Sequence, residues 1–162
     1  MKKLLLFSTI LLLSLPILAS CKNTNNHATT TTSSSALDIE TQKVDGIGKS
    51  TVIDGLEITV NKPEKKTITD EKGDKILYTF HVKGKNISSV TKGLGSIDFS
   101  LETKDGKQHS VSTNYTIFGQ ELDANQEIEG DLYFELNKND SIEQLVYLVS
   151  DQKHIAWDLN KN

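Results

Sequence analysis

The chain has 162 residues, with 18 basic residues, all lysine, against 22 acidic ones, a net charge of −4, and a single cysteine. The missing arginines and the acidic balance exclude the basic footprint and planar forks that nucleic-acid and phosphate recognition use. The length holds one domain and a tether, and a lone cysteine has no disulfide partner.

The N-terminus has the parts of a secretory signal: Lys2 and Lys3, an apolar run from Leu4 to Leu18, then small residues before Cys21. The stretch Leu18-Ala19-Ser20-Cys21 resembles the lipobox of bacterial lipoproteins. That resemblance implies cleavage between Ser20 and Cys21 and a diacylglyceryl group on the Cys21 sulfur, the sole cofactor-like group expected. The alternatives are a transmembrane helix or an ordinary signal. Against a span stands an apolar run broken by Ser14 and Pro16, shorter than the ~20 residues that crossing requires. Two acyl chains hold a protein on a membrane stably, at ~0.8 kcal/mol per buried methylene. The 18 basic residues less Lys2 and Lys3 leave 16 against 22 acidic ones in the cleaved chain.

Residues 1–20 therefore form the signal, 21–44 the lipidated cysteine and its tether, and 45–162 the folded domain. Thr29 to Thr32 and Ser33 to Ser35 sit in a polar tract with almost nothing to build a core. About 15 such residues span ~20 Å as a flexible coil. His27 is a solvated member of that tract.

Beyond Val44 the pattern changes to short alternating runs divided by turn residues, without a helical period. Ser50 to Ile53 is a short strand, and Asp54-Gly55 a tight hairpin turn. Leu56, Ile58 and Val60 alternate as a half-buried strand, and Lys62 to Asp74 reads as a charged loop. Ile76, Tyr78, Phe80 and Val82 give one face of a longer strand that bends or ends at Gly84 and Asn86. Ser88 to Ser96 reads as a loop; Ile97, Phe99 and Leu101 mark a strand, turned at Asp105-Gly106 into a partner from Gln108 to about Thr113. Asn114 to Asn125 is irregular. Ile128, Gly130, Leu132, Phe134 and Leu136 form the clearest alternation, Leu145 to Val149 a central strand, and Ile155, Trp157 and Leu159 the last. This predicts an all-β fold, an antiparallel β-sandwich of about seven or eight strands, with a small barrel as the alternative.

Four features together are similar to the bacterial lipoprotein family called domain of unknown function 4352. They are Gly55 to Val60, the strand closing in Lys85-Asn86, the Phe99-Ser100-Leu101 to Asp105-Gly106-Lys107 hairpin, and Leu122 through Gly130 to Leu136. The resemblance covers about Ile47 to Leu159 and implies an immunoglobulin-like sandwich with no catalytic residues. Where the family has Pro-Gly and a later proline, this chain has Ala124, Asn125 and Asn137, which predicts a differently shaped turn.

No Gly-x-Ser-x-Gly elbow is present, and His81, His109 and His154 fall on or beside different strands. Asp70, Glu71 and Asp74 lie among lysines without calcium-loop spacing, so no metal site is expected. Glu127 and Glu129 share a strand face and read as wet sheet surface. If every connection reverses direction, the tether enters beside the Lys62 to Asp74 loop. The opposite end, away from the membrane, then gathers the 88–96, 114–125 and 151–153 segments. Val90, Leu94, Tyr115, Ile117 and Phe118 lie there as candidates for contact with an envelope or extracellular protein; alternatively Ile117 and Phe118 plug the core. The expected function is a membrane-anchored, non-enzymatic binding or structural module of the cell envelope. The second expectation is a small-molecule or metal-ion receptor assisting a transporter or immunity system.

Overall fold

The computed structural model describes residues 41–161 except 72 and 151. The signal, the cut at Ser20 and Cys21, the lipid site and the tether as far as residue 40 lie outside the described residues. The first sheet is ordered β1 (Gln42–Val44), β12 (Gln152–Asp158), β11 (Ile142–Val149), β7 (Phe99–Thr103) and β8 (Gln108–Ser110). The second is ordered β10 (Glu127–Asn137), β5 (Gly73–Asn86), β3 (Leu56–Val60) and β2 (Ser50–Ile53), with β4 (Glu64–Asp70) on the free half of β5. A separate ribbon pairs β6 (Lys92–Gly95) with β9 (Gly119–Leu122).

Alternation of side chains decides the interior, because every second residue of a strand faces one way. Leu56, Ile58 and Val60, then Tyr78, Phe80 and Val82, then Leu132, Phe134 and Leu136 turn inward from the second sheet. Phe99, Leu101, Leu145, Tyr147, Ile155 and Trp157 meet them from the first. Phe80 and Phe134 pack edge to face at 5.9 Å, and the Trp157 indole is fully buried 6.3 Å from Phe99. The β-sandwich expected from the sequence is what forms, and β11 is its central strand as read. Asp54 and Gly55 both take positive φ, 47° and 77°, the geometry that a two-residue hairpin requires.

Twelve strands are present among the described residues, four more than the alternation picks out. Strand β4 occupies the segment read as a charged loop. Its sequence lacks an apolar face because both faces are wet; it is held by its ladder to β5 and by Lys65, whose ammonium lies 5.7 Å over the Tyr78 ring. Strands β6 and β9 occupy the two segments read as loops. Ile97 is not in a strand: it sits in a 3-10 turn, Ser96–Asp98, and is 76% exposed.

Strand β1 lies inside the segment read as tether, and it reverses the expected orientation. It runs parallel to β12, with Gln42 opposite Ile155 and Val44 opposite Trp157, and the Thr41 hydroxyl donates to the Lys153 carbonyl. The chain thus crosses the domain once before β2, an extra traverse that the alternation missed. It enters at the end where β11 meets β12, where β7 begins and where β5 closes. That is the end expected to point away from the membrane.

At this end Asn86 is fully buried, and its side chain is satisfied on both sides. Its amide donates to the carbonyls of Val90 (2.7 Å) and Leu122 (2.8 Å) and accepts from the Ser88 N–H (2.9 Å) and hydroxyl (2.7 Å). Its backbone carbonyl accepts from Asn125 N–H. Asn125 holds φ 67°, a left-handed position that asparagine tolerates nearly as well as glycine, and the turn from Asp123 closes onto Gln126. We expect Asn86→Ala to orphan the buried Leu122 carbonyl, to release the Val90 and Ser88 contacts, and to cost about 1–3 kcal/mol, read as a lowered urea midpoint. Asn86→Asp, which keeps the acceptor and loses the donors, is expected to fail in the same direction.

Candidate functional site

The β6–β9 ribbon lies across the end of the core. Leu94 and Leu122 face inward and are buried. The intervening positions turn to the other face: Gly93 stands opposite Glu121, both exposed, and a buried Gly95 stands opposite an exposed Gly119. Three of these four positions carry no side chain, so the outer face of the ribbon is nearly bare backbone. Gly95 is explained by its neighbours, since a Cβ there would lie 3.2 Å from the Gly119 Cα and the Phe118 carbonyl. Gly93 has no such explanation: a Cβ would meet nothing within 4 Å, and its φ is not in the left-handed region.

This bare face floors an open groove of about 590 Å³, within the size range of small-molecule sites. Ile97, Ile117 and Phe118 line one part of it, and Leu148 and Val149 at the end of β11 another. Strand β11 shifts register between Tyr147 and Leu148, a bulge of the kind that re-aims side chains beside sites. Polar groups are few. Asp98 lies at the end of the 3-10 turn and accepts from the Gly95 N–H at 2.7 Å; burial pushes its carboxyl up, against the lowering effect of that hydrogen bond. Tyr147 is 3% exposed, and among the described residues nothing hydrogen-bonds its hydroxyl. Burial pushes that hydroxyl up to about 12, with the carboxylates of Asp98 and Asp54 adding to the effect.

The five residues proposed from the sequence for protein contact do not form one patch. Leu94 is 2% exposed and fills the space above Gly84, where a Cβ would sit 2.0 Å from its Cδ2. Phe118 lies over Gly130 in the same manner and packs against the core, as a plug does. Tyr115 stacks on Tyr133 at 4.6 Å along strand β10. Ile117 and Val90 are exposed, at 48% and 59%, and Ile117 lines the groove. The sequence signal for this arrangement is a glycine at an inward position of an alternating strand, which leaves a hole that a distant side chain fills.

The other polar groups are dispersed. His81 points out of the second sheet, with Nδ1 2.9 Å from Asp131 Oδ1. His109 and His154 lie on β8 and β12, three strand spacings apart, or about 14 Å. Asp70 and Asp74 are engaged by Lys75 (2.5 Å) and Lys138 (3.7 Å). Glu127 accepts from Lys83 and Lys85, whose hydrogen bonds hold its carboxyl below the usual range. One cluster that the sequence did not reveal surrounds Glu102 on the outer face of the first sheet, where Gln108, Gln144 and Lys153 converge on it. Burial pushes the Glu102 carboxyl up, but those three partners together outweigh it and hold it below its ordinary value.

A family model described as domain of unknown function (DUF4352) matches residues 45–155. No curated protein matches the sequence. Among solved structures the chain is similar to MPT63, a secreted protein from Mycobacterium tuberculosis. The TM-score is 0.59 at 14% identity, over 74% of this chain and 98% of that one. It is also similar to the yjhA protein of Bacillus subtilis, with a TM-score of 0.52 at 18% identity, over 73% of this chain and 98% of that one. At these identities the likeness is one of fold.

Gly130→Ala is expected to drive the Phe118 ring off the sheet and cost about 1–3 kcal/mol; adding Phe118→Ala should restore part of the loss, a coupling that a double-mutant cycle reads. For Glu102, a depressed folded value means that its contribution is present above the unfolded carboxylate range and is lost as pH falls below about 4. Glu102→Gln should therefore flatten the acid limb of a stability-against-pH curve.

Proposed function

We propose, for a chain that belongs to the DUF4352 family, that it is a lipid-anchored, non-enzymatic binding module on the outer face of a bacterial cell envelope. The observation that carries binding is the groove: an open, largely apolar cleft on bare backbone, lined by a tyrosine whose hydroxyl has no hydrogen-bond partner among the described residues. The location is supported by the signal features and by Leu18-Ala19-Ser20-Cys21. The mycobacterial protein of similar fold is itself secreted. A non-enzymatic role is supported by the dispersal of His81, His109 and His154 over different strands and faces.

The groove also favours the small-molecule half of the receptor reading, because the room that such a ligand needs is present at the end of the sandwich. For the metal half, no group of three or more His, Cys, Asp or Glu side chains among the described residues is placed to hold an ion.

Anchoring is tested by growing cells that express the full chain with labelled palmitate. The expected result is a labelled protein in the membrane fraction whose mass lacks residues 1–20, with no label on Cys21→Ala. An unlabelled wild-type chain that keeps its first twenty residues would replace the lipid anchor with a spanning segment.

A further inference from the structure

We propose that the groove at the β6–β9 ribbon binds a small amphipathic cation, a molecule with an apolar body and an ammonium group, its body lying on Gly93 between Ile117 and Leu148 and its ammonium turned to Asp98 and Glu121. The proposal deepens the binding reading given above and does not depend on the anchor.

Charge complementarity selects the head group. Asp98 and Glu121 both line the groove, and among the described residues no basic side chain does. The nearby Lys92 is turned to Asp54, at 2.9 Å. A partly desolvated carboxylate gains most from a cation that arrives with hydrogen-bond donors. Asp98 has one oxygen on the Gly95 N–H; its other oxygen and the Tyr147 hydroxyl leave acceptor capacity for the donors of an ammonium group.

Gly93 selects the body. A glycine in extended backbone, with open space where its Cβ would be, weakens its strand without any return inside the molecule. Close approach of a ligand to that backbone supplies the return. The walls fit an apolar chain or ring: Ile117 is half exposed, and Leu148 and Val149 stand at the bulged end of β11. The size of the groove suits a single small molecule.

The test uses the chain from residue 21 with Cys21→Ser, made without lipid, since among the described residues the core cluster and what packs on it run from Val44 to Leu159. Decylammonium and decyl sulfate, which share one tail and differ in charge, are titrated below their micelle concentrations by calorimetry. The cation is expected to bind at least about tenfold more tightly, a factor within reach of one charge-assisted hydrogen bond. Asp98→Asn with Glu121→Gln should remove that preference. Gly93→Leu, whose Cβ would meet nothing within 4 Å, should weaken binding by a similar factor while the fold is kept, as read from an unchanged urea midpoint.

As a control for the net acidity of the chain, Glu64→Gln with Asp140→Asn at distant positions should leave binding as it was. Equal binding of the sulfate, an unaffected Gly93→Leu protein, or an equal loss in the distant pair would each overturn the proposal. None of these outcomes bears on palmitate labelling, so anchoring and ligand class fail separately.

Discussion

One buried amide organises the end of the sandwich. Asn86 closes β5 and uses every hydrogen-bonding site of its side chain within the protein, fastening the segment after β5 through Ser88 and Val90 and the segment before β10 through Leu122. These are the segments that lead into and out of the β6–β9 ribbon. Each buried carbonyl left without a donor would cost about 1–3 kcal/mol, so the two segments are held in one arrangement. Because that arrangement is fixed, Leu94 and Leu122 drop into the core from the ribbon, and Gly93 and Gly119 are left exposed on it. The groove is a by-product of sealing the end of the core with a ribbon whose opposite face carries almost no side chains.

What could be read in the sequence follows the same physics. Strands with one wet and one dry face announce themselves, as Leu56 to Val60 and Ile128 to Leu136 do, and Asp54-Gly55 announces its turn. Strands without that contrast are silent. β4 is wet on both faces, β6 and β9 owe their outer faces to glycine and charge, and β1 has three residues. Ile97 misled because it continued the alternation of Phe99 and Leu101, whereas a 3-10 turn rotates it into solvent. The groove was legible only as a gathering of loops with apolar residues. Which of those residues face out depended on Gly84 and Gly130, two inward positions whose missing side chains admit Leu94 and Phe118.

The domain also keeps its charge on its surfaces in pairs. Lys83 and Lys85 hold Glu127 on the second sheet, Lys161 holds Asp45 beside β1, and Lys153 reaches Glu102 across the first sheet. Most such exposed pairs contribute little individually; the Glu102 cluster, largely buried and met by two amides as well, is the exception. Against this background of paired charge, a groove with two carboxylates and no lysine among its lining residues differs from the rest of the surface.

The short β1 strand has a mechanical meaning. It lies alongside β12 and points its leading residue, Gln42, toward the end where the polypeptide arrives. A pull transmitted through residue 41 acts along the strand and across its hydrogen bonds, so those bonds resist together in shear and do not open one after another. A domain drawn on from that side would yield abruptly, and the groove at the ribbon would stay intact until it did.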